Sequence, residues 1–177
     1  FVFRPKDPSF SALLDSIRGD LEPSFKNSLT EWRMNAANQP SLGGPRIQDA
    51  WSDSPYVREL ACHPEIISIL KSIYSRDPFP FQTLNFPVGT QQHYHSDHVH
   101  FSSIPHGFMC GVWVALEDIN HDSGVLEYYP GSHKMPYLHA TDILGKVDNE
   151  GFQGILQNPF HGLWRDMLEE YGISRQL

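Results

Sequence analysis

The feature that most restricts what this chain can fold into is one unbroken apolar run, Phe108-Met109-Cys110-Gly111-Val112-Trp113-Val114-Ala115-Leu116. It carries no charge and no polar alternation, the pattern of a strand covered on both faces. With fourteen prolines and thirteen glycines punctuating many short elements, it fits a strand-rich domain with helices attached. Other strand signals cluster around it. Residues 79–87 are aromatic-rich and end before a turn at Gly89; residues 93–97 read as the next strand. After the run, residues 118–124 form a turn containing Asn120, Asp122 and Ser123. Residues 125–129 then make a further strand, closed by Pro130-Gly131-Ser132-His133-Lys134.

Helical periodicity flanks this central part. Phe10, Leu13, Leu14 and Ile17 recur at helical spacing, with Ser9 placed to cap and Gly19 to stop. Residues 37–55 read as a polar connection rich in Gly and Pro. Asp53 or Ser54 caps a helix that has Pro55 in its first turn, and Pro64 opens another with Ile66, Ile69, Leu70 and Ile73 on one stripe. These helices are expected to cover one side of a sheet. Near the far end Phe160, Leu163, Trp164, Met167, Leu168 and Tyr171 keep helical spacing between a cap at Asn158 and a stop at Gly172. Helices followed by a run of strands suggest one α+β domain with a mainly β core, or a decorated barrel or sandwich: a helical flank over 1–75, strands over 76–134, and a loop-and-helix insertion over 135–177.

Composition excludes several functions. The net charge of −8 argues against nucleic acid or an anionic membrane as partner. No stretch approaches the roughly 18 uncharged apolar residues of a membrane span, and the start does not read as a secretory signal. Cys62 and Cys110 are too far apart in sequence to make a metal-ligand spacing, which fits a reducing cytoplasm. Nothing in the sequence sets the assembly state, and a monomer is the working expectation.

The chemistry-bearing stretch is Gln92-His93-Tyr94-His95-Ser96-Asp97. On a strand, His95 and Asp97 share a face with Cα atoms about 6.6 Å apart. A neutral imidazole beside a carboxylate supplies two of the three ligands of a 2-His-1-carboxylate triad, which leaves positions open on Fe(II). His93 has the same parity, but it would stand about 13 Å from Asp97 along a strand. His98 and His100 have the opposite parity. His63, His106, His121 and His139 read as solvated or capping residues, His133 as part of a turn, and His161 as an exposed or packed residue of the last helix.

Four motifs in order resemble the phytanoyl-CoA dioxygenase family of Fe(II)/2-oxoglutarate-dependent oxygenases: His95-Ser96-Asp97; Gly111-Val112-Trp113-Val114-Ala115-Leu116-Glu117-Asp118; Asp122-Ser123-Gly124-Val125-Leu126; and Pro130-Gly131-Ser132-His133-Lys134. The match spans roughly residues 46–134. The resemblance implies a double-stranded β-helix (jelly roll, cupin-like) with the metal near one open end. His95 and Asp97 match the family's first two iron ligands. Trp113 matches an aromatic position beside 2-oxoglutarate, Leu84 an apolar position on the preceding strand, Arg46 a basic position that approaches the co-substrate, and Asn85 an amide partner for it. The implied activity is hydroxylation of a small organic or lipid-like substrate with Fe(II), 2-oxoglutarate and O2.

The chain departs from the family after Lys134. There the family has a strand bearing a third ligand histidine, followed by an arginine for the distal carboxylate of 2-oxoglutarate; neither His139 nor His161 has that context. The expectation is that the natural protein continues past Leu177 into that strand, and that residues are also missing before Phe1, which is not a methionine. Two alternatives stay open: a cupin-type metal enzyme that does not use 2-oxoglutarate, and a catalytically silent binding module.

Overall fold

The computed structural model describes residues 2–36, 45–89, 94–97, 103–139 and 151–176. The chain divides into two compact units, one of Phe1–Gln92 with Val114–Gly124, the other of His93–Trp113 with Val125–Leu177. Among the described residues no helix is long and apolar enough to cross a membrane.

The first unit is organised by helix α1 (Phe10–Ala36). Its Leu13, Ile17 and Leu21 recur every four residues and are buried with Ala50 and Val57; Phe25, Ile47, Trp51, Leu60 and Leu116 pack around them. Burying each large aliphatic side chain contributes about 1.5–3 kcal/mol. This stripe explains why the helix does not stop at Gly19, as the sequence suggests, and also runs through Pro23. An interior glycine costs about 1 kcal/mol and a proline about 3 kcal/mol, but stopping would strip Leu21 and Phe25 from the core. The start also differs from expectation. Ser9 does not cap through its own oxygen; its N–H and Oγ both donate to Asp7 Oδ1, at 2.8 and 2.6 Å.

Helices α2 (Pro55–Ala61) and α3 (Pro64–Tyr74) follow the sequence reading closely. Ser54 Oγ accepts from Val57 N–H at 3.2 Å, with Pro55 at the first helical position. On α3 only Ile66 is buried, and Ile73 is exposed. His63, read as solvated or capping, is neither: it is buried, makes no side-chain cap, and packs edge-on against Phe10. Its Nε2 lies 3.6 Å from Asp7 Oδ2. The residues before α1 are held against the start of α3, where Glu65 accepts backbone N–H groups from Lys6 and Asp7 at 2.8–3.0 Å.

Strands are short. β1 (Ile47–Gln48) pairs antiparallel with β2 (Leu84–Asn85), Ile47 opposite Asn85 and Gln48 opposite Leu84. β1 falls inside the stretch read as a polar connection, and β2 is all that residues 79–87 contribute as strand. Asp49, in the left-handed region at φ 55°, extends the pairing by exchanging bonds with Thr83. The run 108–116 forms no strand and is not buried on both faces: Val112 and Trp113 are about half exposed. Double-sided burial requires a ladder partner on each side, and among the described residues this run has none.

The second unit is anchored by helix α4 (Gly151–Glu170). It begins before the expected cap at Asn158 and passes through Pro159. Phe160, Trp164 and Leu168 repeat every four residues and are buried, with the Phe160 and Trp164 rings stacked at 5.5 Å and Leu138 and Leu163 packed beside them. Its end matches expectation. Gly172 takes φ 63°, and Ile173 N–H bonds back to Leu168 C=O at 2.9 Å, a glycine-terminated C-cap. Residues 125–129, expected as a strand, contribute one antiparallel bridge between Tyr128 and Gln176, flanked by an Arg175–Glu127 ion pair at 3.1 Å.

Candidate metal centre

His95 and Asp97 meet. His95 Nε2 stands 3.3 Å from Asp97 Oδ1, with His95 at 30% and Asp97 at 49% side-chain exposure. The route to this contact differs from the sequence argument, because residues 94–96 have no regular secondary structure. Shared parity on a strand is therefore not what aligns them. The backbone beside the pair is held in part by Tyr94, whose ring packs edge-on against Tyr129 at 5.4 Å. Tyr129 leads directly into Pro130 and Gly131; Gly131 takes φ 91° before the tight turn Ser132–Lys134. His133 sits exposed in that turn, as a structural turn residue should.

The donor set suits a divalent metal. A neutral imidazole nitrogen and a carboxylate oxygen 3.3 Å apart can both reach one ion at the ~2.0–2.2 Å ligand distances of such sites. Space is also kept at the carboxylate: Gly111 lies against Asp97, and a Cβ there would meet Asp97 Oδ2 at 3.3 Å. Among the described residues no third His, Cys, Asp or Glu joins the pair to complete a metal-holding group. His93, His98 and His100 lie outside the described residues, as does the side chain of His161.

The remaining candidates divide between the units. Trp113 belongs to the second and is 51% exposed, so it is not a core tryptophan. Arg46, Leu84 and Asn85 belong to the first: Leu84 and Asn85 make up β2, Asn85 faces Ile47 across the ladder, and Arg46 stands just before β1. No motif in the sequence joins residue 46 to residue 85; strand pairing does. Adjacent strand residues point to opposite faces, and the two differ accordingly, Leu84 exposed and Asn85 half-buried. Asn85 Oδ1 is buried with no hydrogen-bond partner among the described residues. A buried carbonyl oxygen left unpaired costs about 1–3 kcal/mol; as an acceptor it calls for a donor, so it is the Nδ2 end of this amide, not Oδ1, that could serve a carboxylate.

Two features had no site role in the sequence reading. Gly111 was legible as part of an apolar run and of a family motif, and Tyr129 as the end of a strand before a Pro-Gly turn, but neither was assigned to the site. Conversely, the Asp122-Ser123-Gly124 motif has a structural explanation. Asn120 Oδ1 accepts from Asp122 N–H and Ser123 Oγ at 3.0 and 2.9 Å, and Gly124 closes the turn at φ 78°, 3.5 Å from Gly89 Cα as measured from an added Cβ.

A family model described as phytanoyl-CoA dioxygenase matches residues 12–162. Phytanoyl-CoA dioxygenase domain-containing protein 1 of Danio rerio is 30% identical over 83 residues, which is 45% of this chain. The match covers 28% of that protein's length. No solved structure matches the chain significantly.

Proposed function

The chain belongs to the phytanoyl-CoA dioxygenase family, and from that premise we propose that it is an Fe(II)/2-oxoglutarate-dependent dioxygenase that hydroxylates a small organic or lipid-like substrate. The observation that carries the reading is the His95–Asp97 pair at 3.3 Å, one nitrogen and one carboxylate donor at the positions the family uses for iron. The accompanying fold proposal is a double-stranded β-helix with His95 and Asp97 near one open end.

Iron, with 2-oxoglutarate and O2, supplies the oxidising power for insertion of oxygen into a C–H bond. The chain's own residues do the rest. His95 offers the lone pair of Nε2, which requires that nitrogen to be unprotonated. Asp97 brings a negative charge that offsets part of the charge of a divalent ion, and its fixed position beside His95 sets the angle between the two donors. The amide of Asn85 and the guanidinium of Arg46 are donors suited to a dicarboxylate, and Arg46 can take a carboxylate through two parallel hydrogen bonds. Trp113 offers an exposed flat apolar face at which the carbon chain of a co-substrate can be shielded from water.

The test is succinate formation from 2-oxoglutarate, followed with and without iron, for the parent and for Asp97→Ala. Asp97→Ala removes the carboxylate ligand, and turnover should fall to background. Full turnover by that variant would reject the ligand assignment. Metal-dependent activity that persists when 2-oxoglutarate is omitted would favour a cupin-type enzyme of another class.

A further inference from the structure

Gly111 stands inside the apolar run with its α-carbon turned toward Asp97. A Cβ at this position would lie 3.3 Å from Asp97 Oδ2, closer than comfortable van der Waals contact. Its φ is outside the left-handed region, unlike those of Gly107, Gly124, Gly131 and Gly172, so the backbone here suits any L-residue. Glycine at 111 is therefore explained by room and not by conformation.

The room matters because of what holds the other oxygen. Asp97 Oδ1 is 3.3 Å from His95 Nε2, and the two oxygens of a carboxylate move as one rigid plane. A methyl group that displaces Oδ2 must also turn Oδ1 relative to His95, or push the side chain off its staggered rotamer. We infer that Gly111 is a positioning residue for the metal centre: its missing side chain leaves the space in which Asp97 holds its carboxylate alongside His95. The inference rests on the reading of His95 and Asp97 as metal ligands, and it adds the residue that sets the carboxylate's angle.

The experiment titrates Co(II), a spectroscopically visible divalent ion, into the full chain and four variants: His95→Ala, Gly111→Ala, Gly111→Val and Val112→Ala. Calorimetry reads affinity, and visible absorption reads the coordination environment, which a merely structural role for Gly111 would not move. The parent should bind, and His95→Ala should bind far more weakly. Gly111→Ala should bind roughly three- to tenfold more weakly, the cost of an off-rotamer carboxylate. Its absorption bands should shift, and Gly111→Val should go further in the same direction. Val112→Ala, next in the run but not against the carboxylate, should behave as the parent. Parent-like affinity and spectrum in Gly111→Ala overturn the inference and leave the ligand reading standing. A parent without His95-dependent binding overturns both. If Gly111→Ala lowers the Tm of the metal-free protein, Asp97→Gly is added to it: recovered Tm supports a clash with the carboxylate, and unrecovered Tm rejects it.

Discussion

At the residue scale, exposure separates the roles that a tryptophan can play. Trp113 is 51% exposed, so its loss should not cost the ~3–5 kcal/mol of a buried aromatic. Trp113→Ala is expected to keep its Tm within a few degrees while the 2-oxoglutarate concentration needed for half-maximal turnover rises more than the iron requirement does. Early unfolding with unchanged 2-oxoglutarate affinity would instead make Trp113 a packing residue. Asp7 supplies a second case, in which hydrogen bonding dominates. Its carboxyl is held below the usual value first by the hydroxyl and then by the backbone N–H of Ser9, with the nearby His63 adding a smaller pull in the same direction. A depressed carboxyl stabilises the folded state above the unfolded pKa of about 4 and loses that contribution as pH falls through the lower folded value. Ser9→Ala should raise the Asp7 pKa toward its usual value, read directly by carboxyl-carbon NMR. An unmoved titration would shift the cause to His63.

At the element scale, caps and stripes decide where helices run, and they do not carry equal weight. Ser54 is 4% exposed, and its Oγ accepts from Val57 N–H. Ser54→Ala removes the cap of α2 and leaves that donor buried, so a loss of about 1–2 kcal/mol in urea unfolding is expected. Stability unchanged within a few tenths would show that water replaces the cap. Gly19 and Gly172 show the limit of reading single residues. Both looked like helix stops, yet only Gly172 is one. Beyond Gly172 no apolar stripe of α4 remains to be buried, whereas beyond Gly19 the stripe still has Leu21 and Phe25 to bring to the core.

At the scale of the whole molecule, each unit has its own small core. The first is built on Leu13, Ile17 and Leu21 of α1, the second on Phe160 and Trp164 of α4. Phe160 is fully buried and stacked on Trp164, so Phe160→Ala should destabilise the second unit by about 3–5 kcal/mol. Hydrogen exchange provides the check. Amides of α4 beyond residue 161 and the Tyr128–Gln176 bridge should lose protection, while α1 and α2 keep theirs. Equal loss everywhere would mean that the two cores unfold as one.

What the sequence determined by itself is local or carried by ordered motifs. It placed His95 and Asp97 as a pair, matched four motifs to one family, narrowed the cap of α2 to Asp53 or Ser54 and ended α4 at Gly172. The pair, the cap and the stop each depend on residues within a few positions of one another, where side-chain chemistry and backbone preference act directly. Only the tertiary structure decided the rest. It paired Leu84 and Asn85 with the strand that follows Arg46, across nearly forty residues, buried His63 against Phe10 and set Gly111 against the Asp97 carboxylate. It also joined His95 to Asp97 through an irregular segment where strand parity had been the sequence argument. The physical reason is that such contacts are fixed by which surfaces are buried together, and local sequence does not encode the identity of a distant partner.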